Sequence, residues 1–224
     1  MLKLGPFLSY LTRPRAVRVS IVFGMVTIVA AVINALVSVN AVKLFTGEIL
    51  DAAELLRLSY NATLILIGYV ILLFGFLRAV FLVMRNDNVT TTSKKVENQF
   101  IVLAAFIIAF FIARAFVVLL DAPLNPTVQL WLKGYRIHHF FYGIGLLIIG
   151  GWFGNAQCGG RATFLSAALY GIGLGLVVDE FGLLLTLGDY WSIQSYVFFV
   201  LISFFLLVLL LFEVYKTYST AFAS

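Results

Sequence analysis

The chain has 224 residues, of which 62% are hydrophobic and only 11% are charged, and its formal net charge is +5. Soluble domains carry about a quarter charged residues, so this composition excludes an ordinary water-soluble globular protein. We therefore expect an all-α fold, namely a polytopic transmembrane helical bundle that forms a single integral-membrane domain over residues 1–224.

Six continuous apolar runs follow one another along the chain, each near the length of ~20 residues that crosses a hydrocarbon core. They cover residues 17–39, 63–84, 100–120, 136–153, 164–187 and 196–212. Because the runs are continuous, and not short with alternating polarity, they predict membrane-spanning helices and not the strands of a barrel.

The basic residues near the ends of these runs predict their orientation. Nine Lys and Arg residues lie on the side of the N-terminus and four lie on the opposite side. An excess of Lys and Arg marks the cytoplasmic side, so both termini are expected to be cytoplasmic. No basic cluster with interleaved aromatic residues is present, and a nucleic-acid partner is therefore not expected.

Residues 45–60, between the first and second runs, predict an additional amphipathic helix. Its apolar side chains recur every three to four residues, at Phe45, Ile49, Ala53, Leu56 and Tyr60. This spacing gives a helix one apolar face. We expect the helix to lie on the outer membrane interface, with packing against the other helices as the alternative.

Ionisable side chains inside the runs are the candidates for a functional site, because charge is expensive in hydrocarbon. Both histidines of the chain, His138 and His139, begin the fourth run. Asp179 and Glu180 lie in the fifth run and Arg114 lies in the third. At a rise of about 1.5 Å per residue, these groups reach similar depths in the outer leaflet. The sequence therefore predicts an outer-leaflet polar pocket formed by the third, fourth and fifth runs.

Helix geometry limits what this pocket can hold. Neighbouring residues of a helix point about 100° apart, so we expect one histidine and one carboxylate to face inward. The candidate ligands of a divalent metal ion are His138, His139, Asp179 and Glu180. Catalytic zinc usually takes three protein ligands, and a non-haem iron triad would need both imidazoles to converge. The alternatives are structural hydrogen bonding or proton handling by the histidines, and an ion pair between Arg114 and a carboxylate.

Glycines predict which runs pack together. Gly171 and Gly175 form a G-x-x-x-G pattern in the fifth run, which allows another helix to approach closely. The fourth run carries Gly143 and three further glycines. We therefore expect these two runs to pack against each other, which would bring the histidines and the carboxylates together.

Two short patterns carry a resemblance to other proteins. Residues 138–143 read H-H-x-x-x-G and residues 175–180 read G-L-x-x-D-E. The segment 135–191 around them resembles a group of small, uncharacterised prokaryotic integral-membrane proteins. The resemblance implies a location in a prokaryotic cell membrane and marks the two histidines and the two carboxylates as the positions to test. It implies no particular reaction.

Three functions fit these observations. The first is a polytopic membrane protein whose polar pocket binds a lipid headgroup or a small polar ligand, with or without a metal ion. The second is an accessory or scaffolding subunit of a larger membrane complex, in which the polar residues fasten helices together. The third is a proton-coupled transporter. An enzyme with a carboxylate base and a histidine acid is left open, although no nucleophile motif supports it.

Overall fold

The computed structural model describes Ser9 and residues 11–38, 52–85, 94–120, 131–132, 135–136, 138–156, 160–186 and 193–221. These residues form seven helices and one short antiparallel pair of strands. The elements in chain order are α1 (Arg15–Ser38), α2 (Ala52–Met84), α3 (Lys94–Leu120), β1 (Trp131–Leu132), β2 (Tyr135–Arg136), α4 (His139–Asn155), α5 (Arg161–Asp179), α6 (Phe181–Thr186) and α7 (Ile193–Ala221).

Five of these helices, α1, α2, α3, α5 and α7, are long and apolar enough to cross a membrane. They lie on the first, second, third, fifth and sixth apolar runs, so the prediction of a helical bundle with membrane-length helices is confirmed. Helix α4, on the fourth run, has 17 residues. At ~1.5 Å per residue it is shorter than a hydrocarbon core of about 30 Å. The count of six spans and the cytoplasmic termini stay predictions.

The chain divides into two compact units, Met1–Asn88 and Val89–Ser224, where a single domain is the expectation from sequence. In the first unit, α1 and α2 form an antiparallel pair. Asn34 Nδ2 donates a hydrogen bond to Asn61 Oδ1 at 2.8 Å. One heptad further along α2, a Cβ on Gly68 would lie 2.9 Å from the carbonyl oxygen of Gly24. Interhelical hydrogen bonds and close backbone approach are the contacts that hold helices together in lipid.

Only part of the predicted interfacial helix, residues 45–60, lies within the described residues. Residues 52–60 form the beginning of α2 and continue without a break into the second apolar run, whereas residues 45–51 lie outside the described residues. Residues 52–67 contain neither glycine nor proline. Nothing in the local sequence therefore ends the helix between the two predicted elements.

Helix α5 is the centre of the second unit and contacts α3, α4 and α7. Gly173 faces α4, where its Cβ would lie 2.7 Å from the carbonyl oxygen of Gly143. Gly171 and Gly175 face α3, where added Cβ atoms would overlap backbone carbonyl groups. Two residues of helix rotate a side chain by about 200°, so the central glycine and the outer two serve opposite neighbours. The fourth and fifth runs thus pack together, but the G-x-x-x-G pair contacts the third.

Adjacent glycines on α4 provide a matched test of this packing. A Cβ on Gly150 would lie 2.7 Å from the amide nitrogen of Tyr170, whereas nothing lies within 4 Å of a Cβ on Gly151. We expect Gly150→Ala to lower the free energy of unfolding by about 1–3 kcal/mol, because backbone atoms must shift. Gly151→Ala should leave it unchanged or raise it slightly. Denaturant unfolding in detergent measures both, and equal effects would contradict the packing.

Candidate functional site

The structure brings the predicted ionisable residues together at one end of the second unit. Arg114 reaches this place from α3, His138 and His139 lie at the start of α4, and the two carboxylates lie where α5 ends. Side-chain contacts link them into one group. We call this group the polar cluster, and its members are Arg114, His138, His139, Asp179 and Glu180.

The deepest contact of the polar cluster joins Arg114 to Asp179. Arg114 Nε lies 2.7 Å from Asp179 Oδ1, and the two side chains are 7% and 0% exposed. This close contact between side chains of opposite charge is a buried ion pair. Arg114 Nη2 donates to the backbone oxygen of Asp179 at 2.7 Å. The guanidinium also lies over the ring of Tyr196, 5.1 Å from its centroid, which is a cation–π contact.

The two imidazoles lie over the two carboxylates. His139 Nε2 is 2.9 Å from Asp179 Oδ2, and His139 Nδ1 is 3.3 Å from Glu180 Oε1. His138 Nδ1 is 3.1 Å from the same oxygen of Glu180. Each imidazole side chain is 27% exposed, whereas that of Glu180 is 1% exposed. The carboxylates thus form the buried floor of the cluster and the imidazoles form its partly exposed rim.

Both histidines and both carboxylates converge, so the expectation that only one of each faces inward is wrong. The backbone at the two adjacent pairs explains the difference. His138 precedes α4 in an extended conformation, with φ −79° and ψ 148°. Glu180 lies between α5 and α6, with φ −92° and ψ 2°. The rotation of about 100° between neighbours holds only inside a continuous helix, and each pair straddles a helix end.

The Glu180 carboxylate also accepts a hydrogen bond from the first turn of α4. The backbone N–H of Phe140 donates to Glu180 Oε2 at 2.8 Å, while the residue at the N-cap position, His138, makes no side-chain capping bond. The first N–H groups of a helix lack intrahelical acceptors, and the helix dipole favours a negative charge there. The carboxylate of Glu180 therefore caps a helix other than its own.

A fourth helix contributes to the site, and the sequence did not predict it. Ser195, at the start of α7, is 1% exposed. Its hydroxyl donates to the backbone oxygen of Asp179 at 2.6 Å and accepts from the N–H of Gly182 at 3.0 Å. The sixth run is predicted to start in the leaflet where the fifth ends, so its first residues, which include Ser195 and Tyr196, are expected at the same depth. The predicted pocket draws on the third, fourth and fifth runs alone, so neither residue is among its members.

The predicted metal site has no support in the geometry. Within the described ranges, no group of three or more His, Cys, Asp and Glu side chains is arranged to hold a metal ion. The histidine contacts of the polar cluster are made to carboxylate oxygens at hydrogen-bonding distance. These contacts support hydrogen bonding and charge pairing as the chemistry of the cluster.

Comparison of the chain with protein-family models, with curated proteins and with solved structures gives no match. The resemblance of residues 135–191 to small prokaryotic membrane proteins thus stays a prediction. The geometry of the polar cluster and the composition of the helices are what bear on function.

Removal of the buried cation should reveal how much the polar cluster depends on it. We expect Arg114→Met to lower the free energy of unfolding by about 3–5 kcal/mol, because it leaves the Asp179 carboxylate uncompensated. Arg161, in the same unit, is exposed at the start of α5. Arg161→Met should therefore change the stability by less than ~1 kcal/mol. Unfolding monitored in detergent compares the two variants.

A second substitution separates the charge from the packing of Arg114. Asp179→Asn, added to Arg114→Met, removes the uncompensated negative charge, so the double variant should be more stable than the sum of the single losses predicts. Strict additivity would show that the two side chains do not interact. An Arg114→Met loss no larger than that of Arg161→Met would contradict the buried ion pair.

Proposed function

We propose that this chain is an integral-membrane protein of a prokaryotic cell membrane, with both termini in the cytoplasm. The membrane-length helices support the first part, and their outward side chains are large and apolar. The exposed fractions of Phe23, Phe116, Phe204 and Phe212 are 59%, 56%, 57% and 61%. Exposure of many large apolar side chains is unfavourable in water, whereas lipid chains solvate such side chains. The excess of basic residues on one side supports the orientation.

We further propose that the polar cluster fastens helices and that the chain is an accessory or scaffolding subunit of a membrane complex. The observation that carries this proposal is the burial of three charged side chains that face one another or the imidazoles. Arg114, Asp179 and Glu180 have side-chain exposures of 7%, 0% and 1%. Ionisable side chains within membrane helices pair with one another, and a pair whose members lie on different helices links those helices.

A fastening of this kind answers a need specific to membrane helices. Lipid chains are as apolar as leucine, so the hydrophobic effect does not press helices together within the bilayer. The polar cluster joins α3, α4 and α5 at one end, and α7 reaches the same place through Ser195. Glycine contacts draw α4 and α3 close to α5 along their length. The resulting platform of fixed helices suits a subunit that presents a constant surface to a partner.

Binding of a lipid headgroup or a small polar ligand is the second candidate function. It is favoured by one observation, the 27% exposure of each imidazole above the buried carboxylates. Imidazole N–H groups are donors to phosphate and carboxylate oxygens, and the floor of the cluster would hold the rings in position. A proton-coupled transporter stays the third candidate, since proton transfer can occur across a histidine–carboxylate contact of this length.

The stability of the purified protein, measured first without and then with added phospholipid, separates fastening from binding. If the cluster fastens helices, His139→Ala should lower the free energy of unfolding by about 1–3 kcal/mol in delipidated detergent, because two buried carboxylates lose a partner. Phe141→Ala, at a 60% exposed position of the same helix, is the control and should have a small effect.

The binding function predicts a different pattern in the same measurement. Added phospholipid would then raise the unfolding temperature of the wild type and leave that of His139→Ala unchanged, whereas fastening alone predicts no response to phospholipid in either protein. For the scaffolding role, native membranes solubilised in mild detergent should show the chain migrating with a larger assembly. Migration as a monomer would count against that role.

A further inference from the structure

Helix α5 ends and α6 begins around Glu180, and the only residue there with a low helix propensity is Gly182. Residues 161–186 contain no proline, and Glu180 alone separates the two helices. Sharp interruptions of helices arise at proline, at glycine or serine pairs, at bulges, or where a foreign side chain inserts into the backbone hydrogen bonds. The contacts of Asp179 and Gly182, on either side of Glu180, indicate that a side chain from another helix inserts here.

The inserted side chain is that of Ser195. Its hydroxyl donates to the carbonyl of Asp179 and accepts from the amide of Gly182, at 2.6 Å and 3.0 Å. It therefore binds one backbone group on each side of Glu180. In a continuous helix, the Asp179 carbonyl would accept from the N–H four residues later. Here that carbonyl accepts from Ser195 Oγ and from Arg114 Nη2 instead.

This use of a serine differs from that of several other hydroxyls in the chain. The hydroxyls of Ser20, Thr27, Ser203 and Thr217 each donate to the carbonyl four residues earlier in their own helix. That is the ordinary local bond of serine and threonine in helices. Ser203 is buried on α7, the same helix as Ser195. It thus provides a matched control, a buried serine of the same helix that donates to its own backbone.

We propose that Ser195 is a positioning residue of the polar cluster, which holds the α5–α6 break open and so turns Glu180 toward α4. With the break closed, Glu180 would point about 100° away from Asp179. It could not then meet His138 and the Phe140 amide while Asp179 meets Arg114. This inference goes beyond the proposed function, because it concerns how the cluster is built and holds whether the cluster fastens helices or binds a ligand.

Hydrogen exchange of the Phe140 amide reports directly on the position of Glu180, which is its acceptor. The variants Ser195→Thr and Ser195→Val differ by a hydroxyl at nearly equal volume, so they separate the hydrogen bonds from the packing. The measurement uses the full chain in detergent and compares the exchange rates of the Phe140 and Leu147 amides, which lie in the same helix. In Ser195→Val the ratio of the Phe140 rate to the Leu147 rate should rise about tenfold or more. Ser195→Thr and Ser203→Ala should keep the wild-type ratio.

The ratio of the two amides distinguishes positioning from general loosening. A purely structural role of Ser195 would speed exchange at Phe140 and at Leu147 alike, and that result would overturn the proposal. An unchanged Phe140 rate in folded Ser195→Val would also overturn it. If the valine variant does not fold, Ser195→Cys takes its place, because a thiol is a weaker hydrogen-bonding group. Faster Phe140 exchange in the cysteine variant than in the threonine variant is then expected, and equal exchange would contradict the proposal.

Discussion

The second unit is organised around two adjacent carboxylates whose side chains are 0% and 1% exposed. An unpaired carboxylate in a protein interior costs several kcal/mol, so each must meet a cation or several hydrogen-bond donors. Asp179 meets a guanidinium and an imidazole. Glu180 meets imidazole nitrogens and a backbone N–H. Four helices contribute to the polar cluster and its support, and the need to neutralise this pair draws them to one place.

The two carboxylates reach these partners because regular helix is interrupted on both sides of the cluster, before α4 and after α5. A helix that continued through Glu180 would send its two acidic side chains in different directions. The same holds for the two histidines, of which the first lies before α4. Free backbone groups at these helix ends then become part of the site. The Asp179 carbonyl takes two donors from other helices, and the Phe140 amide takes a carboxylate.

The sequence predicts the helices well and the site in part. Long apolar runs identify the membrane-length helices, because length and composition are themselves the physical requirement for crossing a bilayer. The depth of ionisable residues along the runs predicts the members of the polar cluster, because charged side chains are costly in lipid and therefore rare there. The extent of α2 before residue 63 escapes this reasoning, since a run of apolar residues marks only the part of a helix that lies in lipid.

Convergence of the adjacent pairs could not be predicted, because it depends on helix ends set by tertiary contacts. Ser195 illustrates the difficulty. A serine in an apolar helix ordinarily bonds its own backbone, so its residue type gives no sign that it reaches another helix. The glycines are similar: their spacing indicates close approach, but which neighbour each one contacts follows from the arrangement of α3 and α4 around α5.

The polar cluster depends on contacts of both imidazoles with the buried carboxylates. Because the chain has two histidines, solid-state NMR of the protein in bilayers, labelled with ¹⁵N at histidine and ¹³C at aspartate and glutamate, observes the imidazoles of this site alone. Both imidazoles should show through-space contacts to side-chain carboxylate carbons, and Asp179→Asn and Glu180→Gln should shift the contacting signals. Contacts from one histidine only, or from neither, would contradict this arrangement.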